Sequence, residues 1–220
     1  MNRLIALLFL LPAISGCSYK SRTIQLFNGT TLDGWYAYTD DGKQPDAAQV
    51  FSVTDSMIRL YGNKVGYLMS TKSYTDFELS LEFRWNTEQK YYRGPGIKNS
   101  GIMYNVPEET PDRFWPAGIQ YQVKEEAVGD FILLGNVTME VRGIRPAPGS
   151  SVVIPRISGT ERKAGEWNQI VIQSYKGKCS QYLNGELVNE GINPSSAGGR
   201  ILLQYEGSPI DFRRIILKHL

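Results

Sequence analysis

Polar side chains alternate with apolar ones in GIQYQVKEEAVGD, residues 118–130. Gln120, Gln122 and Lys124 occupy every second position, and the period of a β-strand puts such residues on one face. A cluster of carboxylates follows and ends at Asp130. Amides donate and accept hydrogen bonds, whereas carboxylates can also transfer protons. The stretch therefore predicts either the wet face of a half-buried sheet or the floor of a site for a ligand rich in hydroxyl groups.

The histidine content and the charge exclude several classes of function. The single histidine, His219, lies next to the C-terminus. Ser-His-Asp catalysis, Cys-His catalysis and paired-histidine zinc sites are therefore excluded within this chain. The 24 basic residues nearly balance the 22 acidic ones, and they form no basic run or stripe. Nucleic acid is consequently not an expected partner.

The spacing of turn residues indicates the elements that must position these side chains. Gly, Pro, Asn and Asp recur every eight to twelve residues, and almost no long segment has a helical period. This spacing favours an all-β sandwich or barrel. Strands are predicted at 77–85 and 99–105, and hairpin turns at 176–178, 184–185 and 207–209.

The first residues resemble the signal of a bacterial lipoprotein. Arg3 precedes an apolar run, 4–11, that is too short for the roughly 20 residues of a spanning helix. Ile14-Ser15-Gly16-Cys17 resembles a lipobox, which is cut before the cysteine. We therefore expect a signal peptide at 1–16, lipidated Cys17 with a short tether at 17–22, and a single domain at 23–220. The lipid would attach the protein to a membrane of the cell envelope, and Ser18 favours the outer membrane. An ordinary secretory signal is the alternative.

Lipidation of Cys17 would leave the second cysteine, Cys179, unpaired. The domain would then contain no internal disulfide, and its stability would have to come from its core. About 200 residues are enough for such a core in one domain.

Seven motifs together resemble the 3-keto-disaccharide hydrolase domain family. They are LFNGTTLDGW at 26–35, DFELSLEFRW at 76–85, KNSGIMY at 98–104, WPAGIQYQV with GDF at 115–131, AGEWNQIVI at 164–172, LNGELV at 183–188 and GRILLQYEGSPIDFRRIILKHL at 199–220. The resemblance spans about residues 24–220. It implies the concanavalin A-like lectin/glucanase fold, a jelly roll of two antiparallel sheets. It also implies cleavage of a small 3-keto glycoside or disaccharide in the periplasm, on a concave sheet.

One position departs from the pattern of the family. The family has Glu-x-Gln where this chain has Gln120-Tyr121-Gln122. An amide cannot act as a general acid or base, so a catalytic role at position 120 is in doubt. The Gly-Asp pair that ends at Asp130 is retained and offers a substitute carboxylate. The Asn-Ser-Gly motif at 99–101 is also unchanged.

We predict that polar faces of neighbouring strands form one lattice for sugar hydroxyls. The candidate substrate-binding residues are Arg84, Asn99, Ser100, Asn105, Trp115, Gln120 and Gln122. The candidate aromatic platforms are Trp85, Trp115, Tyr104 and Tyr92, although strand parity places Trp85 on the apolar face. Trp35 and Trp167 are expected in the core.

The chemistry of a 3-keto sugar limits which residues can act. Its carbonyl acidifies the proton on C2, so a base can remove that proton before the C1 substituent is expelled and water adds. The candidate catalytic carboxylates are Asp130, Glu206 and Glu82. Arg84 or Asn99 could stabilise the enolate oxygen, and so could a divalent cation on Asp130 and a neighbouring glutamate. Direct hydrolysis by two opposed carboxylates is a second route, although the Glu-x-Asp-x-x-Glu motif of laminarinases is absent.

Two functions from other classes remain open. The first is a non-catalytic carbohydrate-binding lipoprotein on the same fold, which the amide of Gln120 favours. The second is a structural domain of the cell envelope. Asp130 and Glu206 favour the enzyme.

Overall fold

Two antiparallel sheets account for nearly all regular structure in residues 22–62, 64–91 and 96–220, which are the residues that the computed structural model describes. The predicted signal peptide, Cys17, the tether up to residue 21 and Tyr92 lie outside the described residues. No helix in the described ranges is long and apolar enough to span a membrane.

The strands of the described ranges are β1 (Thr23–Gln25), β2 (Trp35–Thr39), β3 (Gly42–Gln44), β4 (Ser52–Thr54), β5 (Met57–Leu60), β6 (Gly66–Ser70), β7 (Tyr74–Thr75), β8 (Phe77–Trp85), β9 (Asn99–Val106), β10 (Gly118–Lys124), β11 (Phe131–Leu134), β12 (Ser151–Ile154), β13 (Asn168–Tyr175), β14 (Lys178–Leu183), β15 (Glu186–Ile192), β16 (Gly198–Tyr205) and β17 (Ile210–His219). Two short 3-10 helices, Ala47–Gln49 and Gln89–Tyr91, lie between strands.

Each sheet combines strands that are distant in sequence. The eight-stranded sheet has the order β15-β14-β13-β8-β17-β5-β4, and β1 also pairs with β17. The nine-stranded sheet has the order β12-β11-β10-β9-β16-β6-β2-β3, and β7 also pairs with β16. The prediction of an all-β sandwich of two antiparallel sheets is confirmed.

The core lies between the two sheets because strand alternation sends one set of side chains inward from each. Along β8 every second residue is buried, from Phe77 to Trp85. These residues pack in one cluster with Ile119, Tyr121 and Val123 of β10. Burial of the apolar surface of this cluster stabilises the folded state by about 25 cal/mol per Å².

The tryptophan predictions are only partly correct. Trp35 and Trp85 are buried in the core, as expected. Trp167 is not: it is only partly buried, and its ring lies beneath the guanidinium groups of Arg84 and Arg213 at 4.7 and 3.8 Å. Cation–π contacts of this kind favour an aromatic ring at a partly exposed position, so the core prediction for Trp167 is wrong.

Two of the three predicted hairpins are present. Asn184 and Gly185 have φ of 51° and 88° and join β14 to β15, as a type I′ turn requires. The turn at 176–177 joins β13 to β14. The third prediction is wrong, because the turn at 207–209 carries the chain from β16 in one sheet to β17 in the other. Alternation shows that two strands exist, but it does not show that they pair with each other.

Cys179 is buried and free. Burial raises the pKa of its thiol to about 11, so the thiol stays protonated at neutral pH.

Candidate functional site

The outer face of the nine-stranded sheet brings polar side chains from three adjacent strands together. In the register of β10 and β9, Lys124 lies opposite Asn99 and Gln122 lies opposite Gly101. Glu206 directly follows the neighbouring strand β16, and the Asn99 Nδ2 atom donates a hydrogen bond of 2.5 Å to Glu206 Oε2. Asn99 opens its strand and Lys124 closes its own, so the three residues meet at one end of the sheet.

Glu206 has the electrostatic character of a proton-transfer group. It is partly buried. Burial raises the pKa of its carboxyl, and this effect outweighs the hydrogen bond from Asn99 and the positive charge of Lys124, which both lower the pKa. A pKa moved toward neutrality brings a carboxyl closer to the range in which general acid–base catalysis is efficient.

A chain of hydrogen-bonded amides lies next to these three residues on the same sheet. Gln204 Nε2 donates to Gln120 Oε1 at 2.9 Å, and Gln120 Nε2 donates to Gln122 Oε1 at 2.5 Å. Gly101 makes the chain possible, because a Cβ atom there would lie 2.4 Å from Gln204 Oε1 and 2.6 Å from Gln120 Nε2. Gln204 and Gln120 are buried, whereas Gln122 is partly exposed. Gln120 and Gln204 therefore hold the amide of Gln122 in place, and Gln122 is the member of this chain that solvent reaches.

Asp130 directly precedes β11 and lies far from Glu206. Its Oδ1 atom accepts a hydrogen bond of 2.8 Å from the backbone N–H of Arg156, and its carbonyl accepts one from the N–H of Gln122. Three strand spacings separate Asp130 from Glu206, which is ~14 Å at the usual spacing of about 4.8 Å. Paired glycosidase carboxylates lie about 5–9.5 Å apart. Asp130 and Glu206 therefore do not flank one glycosidic bond.

Glu82 and Arg84 are not part of this site. Both lie on β8, on the outer face of the eight-stranded sheet, which is the opposite side of the sandwich. Arg213 Nε lies 2.6 Å from a Glu82 oxygen, and Arg84 Nε lies 2.9 Å from a carboxylate oxygen of Asp211. The predicted single lattice is therefore wrong for these two residues. Alternation distinguishes the outer face of a strand from its inner face, but it does not assign the strand to a sheet.

Ser100 and Asn105 point into the interior instead of onto the face. Ser100 is fully buried, and its Oγ donates to the carbonyl of Gln204 at 2.8 Å. Asn105 has a φ of 51°, close to a register shift between β9 and β16, and this interrupts the alternation. Its amide donates to Ser174 Oγ and to the carbonyl of Ser196, both at 3.0 Å. Ser100 and Asn105 therefore cannot contact a ligand on this face, contrary to the binding roles predicted for them.

The candidate aromatic platforms likewise include both buried residues and a partly exposed one. Tyr104 is fully buried in the core and accepts a hydrogen bond from Gln181, so it offers no platform. Trp85 is also in the core. Trp115 packs against a second apolar cluster on the outer face of the nine-stranded sheet and remains partly exposed, so its role as a platform stays a prediction.

An acidic and aromatic cluster was missed by the sequence prediction. Tyr36 and Tyr67, on β2 and β6, both donate to Asp112 Oδ1, at 2.6 and 3.0 Å. Lys43 Nζ lies 3.2 Å from Asp112 Oδ2. Burial alone would raise the pKa of Asp112, but the hydrogen bonds from Tyr36, Lys43 and Tyr67 outweigh it and lower the pKa. Asp112 is therefore a fixed anion that anchors the loop between β9 and β10.

Of the residues that the sequence analysis did not name, Gln204 could have been predicted from the sequence and Asp112 could not. Gln204 and Glu206 are two positions apart, so strand parity places them on one face, and Gln204 could have been predicted from Glu206. Asp112 lies in a loop without periodicity, and no local pattern identifies it. A divalent cation also remains only a prediction: the described ranges contain no cluster of three or more His, Cys, Asp or Glu side chains suited to a metal ion.

Several solved structures share the fold of this chain. A Parabacteroides distasonis protein described as a candidate glycosyl hydrolase has a TM-score of 0.64 at 20% identity, covering 90% of this chain and 94% of its own. The Bacillus licheniformis β-glucanase has a TM-score of 0.56 at 13% identity, covering 92% and 99%. A κ-carrageenase from Pseudoalteromonas carrageenovora, solved with an oligotetrasaccharide, has a TM-score of 0.50 at 13% identity, covering 96% and 98%. At these identities the likeness shows the fold alone, which is the concanavalin A-like jelly roll.

The sequence comparisons give the family. No curated protein sequence matches the chain. Residues 22–218 match the model of a family described as the 3-keto-alpha-glucoside-1,2-lyase-like domain. Because the match covers nearly the whole chain, the protein belongs to this family, as the resemblance of its motifs predicted.

Proposed function

We propose that this protein cleaves the glycosidic bond of a small 3-keto glycoside or disaccharide on the outer face of its nine-stranded sheet. The observation that carries the proposal is Glu206, a partly buried carboxyl whose pKa is raised and whose hydrogen-bond donor is the amide of Asn99. The site around it consists of amides and an ammonium group, which suit the hydroxyl and carbonyl groups of an oxidised sugar. Membership of the family supports the same reaction class.

The reaction that fits a single carboxylate is elimination followed by hydration. Glu206 removes the proton on C2, and the electron pair of that C–H bond forms an enolate with the C3 carbonyl. The enolate expels the oxygen on C1 and leaves a C1=C2 double bond conjugated to the restored carbonyl. The departing oxygen takes up the proton that Glu206 received. Water then adds across C1 and C2 to give the free 3-keto sugar.

Neighbouring residues would supply the remaining functions. Asn99 holds the Glu206 carboxylate in position, and Gln122, oriented by Gln120, binds a hydroxyl group. Lys124 lies opposite Asn99, and its charge reaches Glu206. It therefore replaces Arg84 as the candidate cation for the enolate oxygen.

The substrate tests the proposal directly. The domain should release free sugar from a 3-keto disaccharide and leave the unoxidised parent disaccharide intact, because only the ketone acidifies C2. Both reactions can be followed by quantifying the released monosaccharides. Equal cleavage of the two substrates would contradict elimination and support direct hydrolysis.

A second candidate, a non-catalytic carbohydrate-binding protein, is favoured by a specific observation. Amides occupy the middle of the site, and Asp130 is engaged by the backbone N–H of Arg156. Calorimetry with keto sugars and their parents distinguishes the two candidates. Binding without product from any keto sugar, with and without added divalent cation, would establish the binding protein and exclude the enzyme.

We also propose that Cys17 carries a lipid that anchors the domain in the cell envelope, facing the periplasm or the surface. The support is the lipobox-like sequence that ends at this cysteine. Cys17→Ala should leave the protein unlipidated and shift it from the detergent phase to the aqueous phase. Unchanged partitioning together with an unchanged mass of the mature N-terminus would refute the anchor.

A further inference from the structure

An aromatic wall borders the candidate site on the side of β2 and β3. It consists of Tyr38 on β2 and of Phe114 and Trp115 in the loop between β9 and β10, residues 107–117. The rings of Tyr38 and Phe114 meet edge to face at 5.7 Å, and those of Phe114 and Trp115 lie 5.9 Å apart. Phe114 is 37% exposed, and Tyr38 and Trp115 are partly exposed. The wall therefore presents apolar ring surface to solvent, beside a polar site.

The wall is held rigidly from behind. The ring of Tyr38 stacks on the buried ring of Tyr67 at 5.2 Å, with an interplanar angle of 16°. Tyr67 in turn donates to Asp112, which lies in the same loop as Phe114. Arg200 ties the loop to the sheet, because it donates to the Tyr36 hydroxyl at 2.8 Å and to a loop carbonyl, that of residue 110, at 3.0 Å. A surface fixed in this way loses little conformational entropy when a ligand binds.

Backbone strain marks the same loop. Trp115 has a φ of 56°, in the left-handed region that bulky side chains rarely adopt. Such strain is found preferentially at sites that hold a ligand. The surrounding contacts of Trp115 with the outer-face cluster keep the ring on this side of the sheet.

The register fixes the position of the wall relative to the site. On the outer face, Gln204 lies opposite Tyr67, and Tyr67 lies opposite Tyr38. Two strand spacings, ~10 Å, separate β16 from the strand that carries Tyr38, and Glu206 lies two residues beyond Gln204, a further ~7 Å along the strand. Glu206 and Tyr38 are therefore ~12 Å apart. This separation suits two linked sugar rings, one at each end.

We infer that the aromatic wall is the binding site for the leaving group of the substrate, a second hexose ring or an aromatic aglycone. This inference rests on the proposed function, because it places the bond to be cleaved between Glu206 and the wall. The apolar C–H face of a sugar, or an aryl ring, stacks on the exposed ring of Phe114. Since stacking does not read the pattern of hydroxyl groups, the site accepts different leaving groups of similar size.

A comparison of two substrates tests the wall. One is a 3-keto disaccharide, and the other is methyl 3-ketoglucoside, which has no second ring. Phe114→Ala should raise KM about tenfold for the disaccharide, through loss of buried apolar contact, and less than about twofold for the methyl glycoside. Tyr175→Ala removes an aromatic ring of similar exposure, 36%, from the eight-stranded sheet, and it should change neither value. An equal rise for both substrates, or no rise for either, would overturn the inference.

Binding provides a readout that does not depend on turnover. Calorimetry with Glu206→Gln should show a weaker affinity for the 3-keto disaccharide once Phe114→Ala is added, and an unchanged affinity for the methyl glycoside. If no keto sugar is cleaved by the unmodified protein, the proposed function fails. The wall is then tested by the same pair of affinities for the unoxidised disaccharide and methyl glucoside. Identical losses for the two ligands would refute it.

Discussion

The two outer faces of the sandwich both carry carboxylates among polar side chains, but the hydrogen-bond partners of these carboxylates differ. On the eight-stranded sheet, Asp211 is fully buried and is met by Arg84 at 2.9 Å and by the Tyr61 hydroxyl at 2.5 Å. On the nine-stranded sheet, the donor to Glu206 is the neutral amide of Asn99. A carboxylate neutralised by guanidinium groups is committed to structure, whereas one held by an amide at a raised pKa can exchange a proton. The difference assigns chemistry to the face that carries Glu206, where Asp112 is a structural anion, and architecture to the other face.

The largest effect should come from exchanging one carboxyl for an amide on each face. Glu206→Gln should lower kcat on a 3-keto disaccharide by about a thousandfold, because the group that removes the C2 proton is lost. Glu82→Gln, on the eight-stranded sheet, should leave kcat within about twofold. Steady-state kinetics of both purified variants measures the contrast.

Two results would contradict this assignment. Full activity of Glu206→Gln would move proton transfer elsewhere, and Asp130→Asn would then be the next variant to measure. A large loss of activity in Glu82→Gln, with its fold intact by circular dichroism, would place the chemistry on the opposite face.

Local patterns in the sequence predicted several of the strands and the direction of many of their alternating side chains. The alternation of 77–85 gave the buried and outer faces of β8, and Asn184-Gly185 gave a turn whose positive φ values the structure contains. The same alternation predicts that Asn99 and Gln122 face outward, as they do. These features depend on neighbours in sequence, which is why sequence reasoning finds them.

Sheet membership could not be predicted in this way. Glu82 and Gln122 both alternate outward, yet they lie on opposite sides of the molecule, because β8 and β10 belong to different sheets. The turn at 207–209 was misread for the same reason. Asp112 depends on contacts with β2, β3 and β6, far away in sequence. Long-range pairing determines these features, and a local period carries no information about it.

The next largest effect should be on stability, on the face assigned to architecture. Asp211→Asn removes the buried countercharge of Arg84 and should lower the free energy of unfolding by about 3 kcal/mol. The control is Asp55→Asn, since Asp55 is 77% exposed and lies 3.8 Å from Arg59, which also approaches Asp211. An exposed pair contributes little, so this control should change stability by less than about 0.5 kcal/mol. Urea denaturation measures both, and equal effects would contradict the assignment.

A smaller loss of stability and activity should follow from placing a side chain at Gly101, next to the chain of amides. Gly101→Ala places a Cβ atom 2.4 Å from Gln204 Oε1, so Gln204 and Gln120 must move and the orientation of Gln122 is lost. We expect a loss of about 2 kcal/mol in stability and a lower kcat/KM. Gly96→Ala, where a Cβ meets nothing within 4 Å, is the control for stability. Unchanged kcat/KM in Gly101→Ala would show that the amide chain does not position the site.

The smallest expected effect is a gain in the stability of Glu206→Gln, a variant that should lose activity. Burial raises the pKa of Glu206 in the folded protein, so between its ordinary pKa and the raised value the folded state binds more protons than the unfolded state. Stability attributable to this residue therefore falls as pH rises through that window, and above it the folded state carries a constant penalty. Glu206→Gln removes the penalty, so the variant should be slightly more stable than the unmodified protein at pH 7. The two should become equal below the ordinary pKa of a glutamate, where both side chains are neutral. Thermal unfolding across this pH range measures the difference. A variant that is less stable at pH 7 would show that Glu206, like Asp211, is held for structure, and the contrast between the two faces would no longer stand.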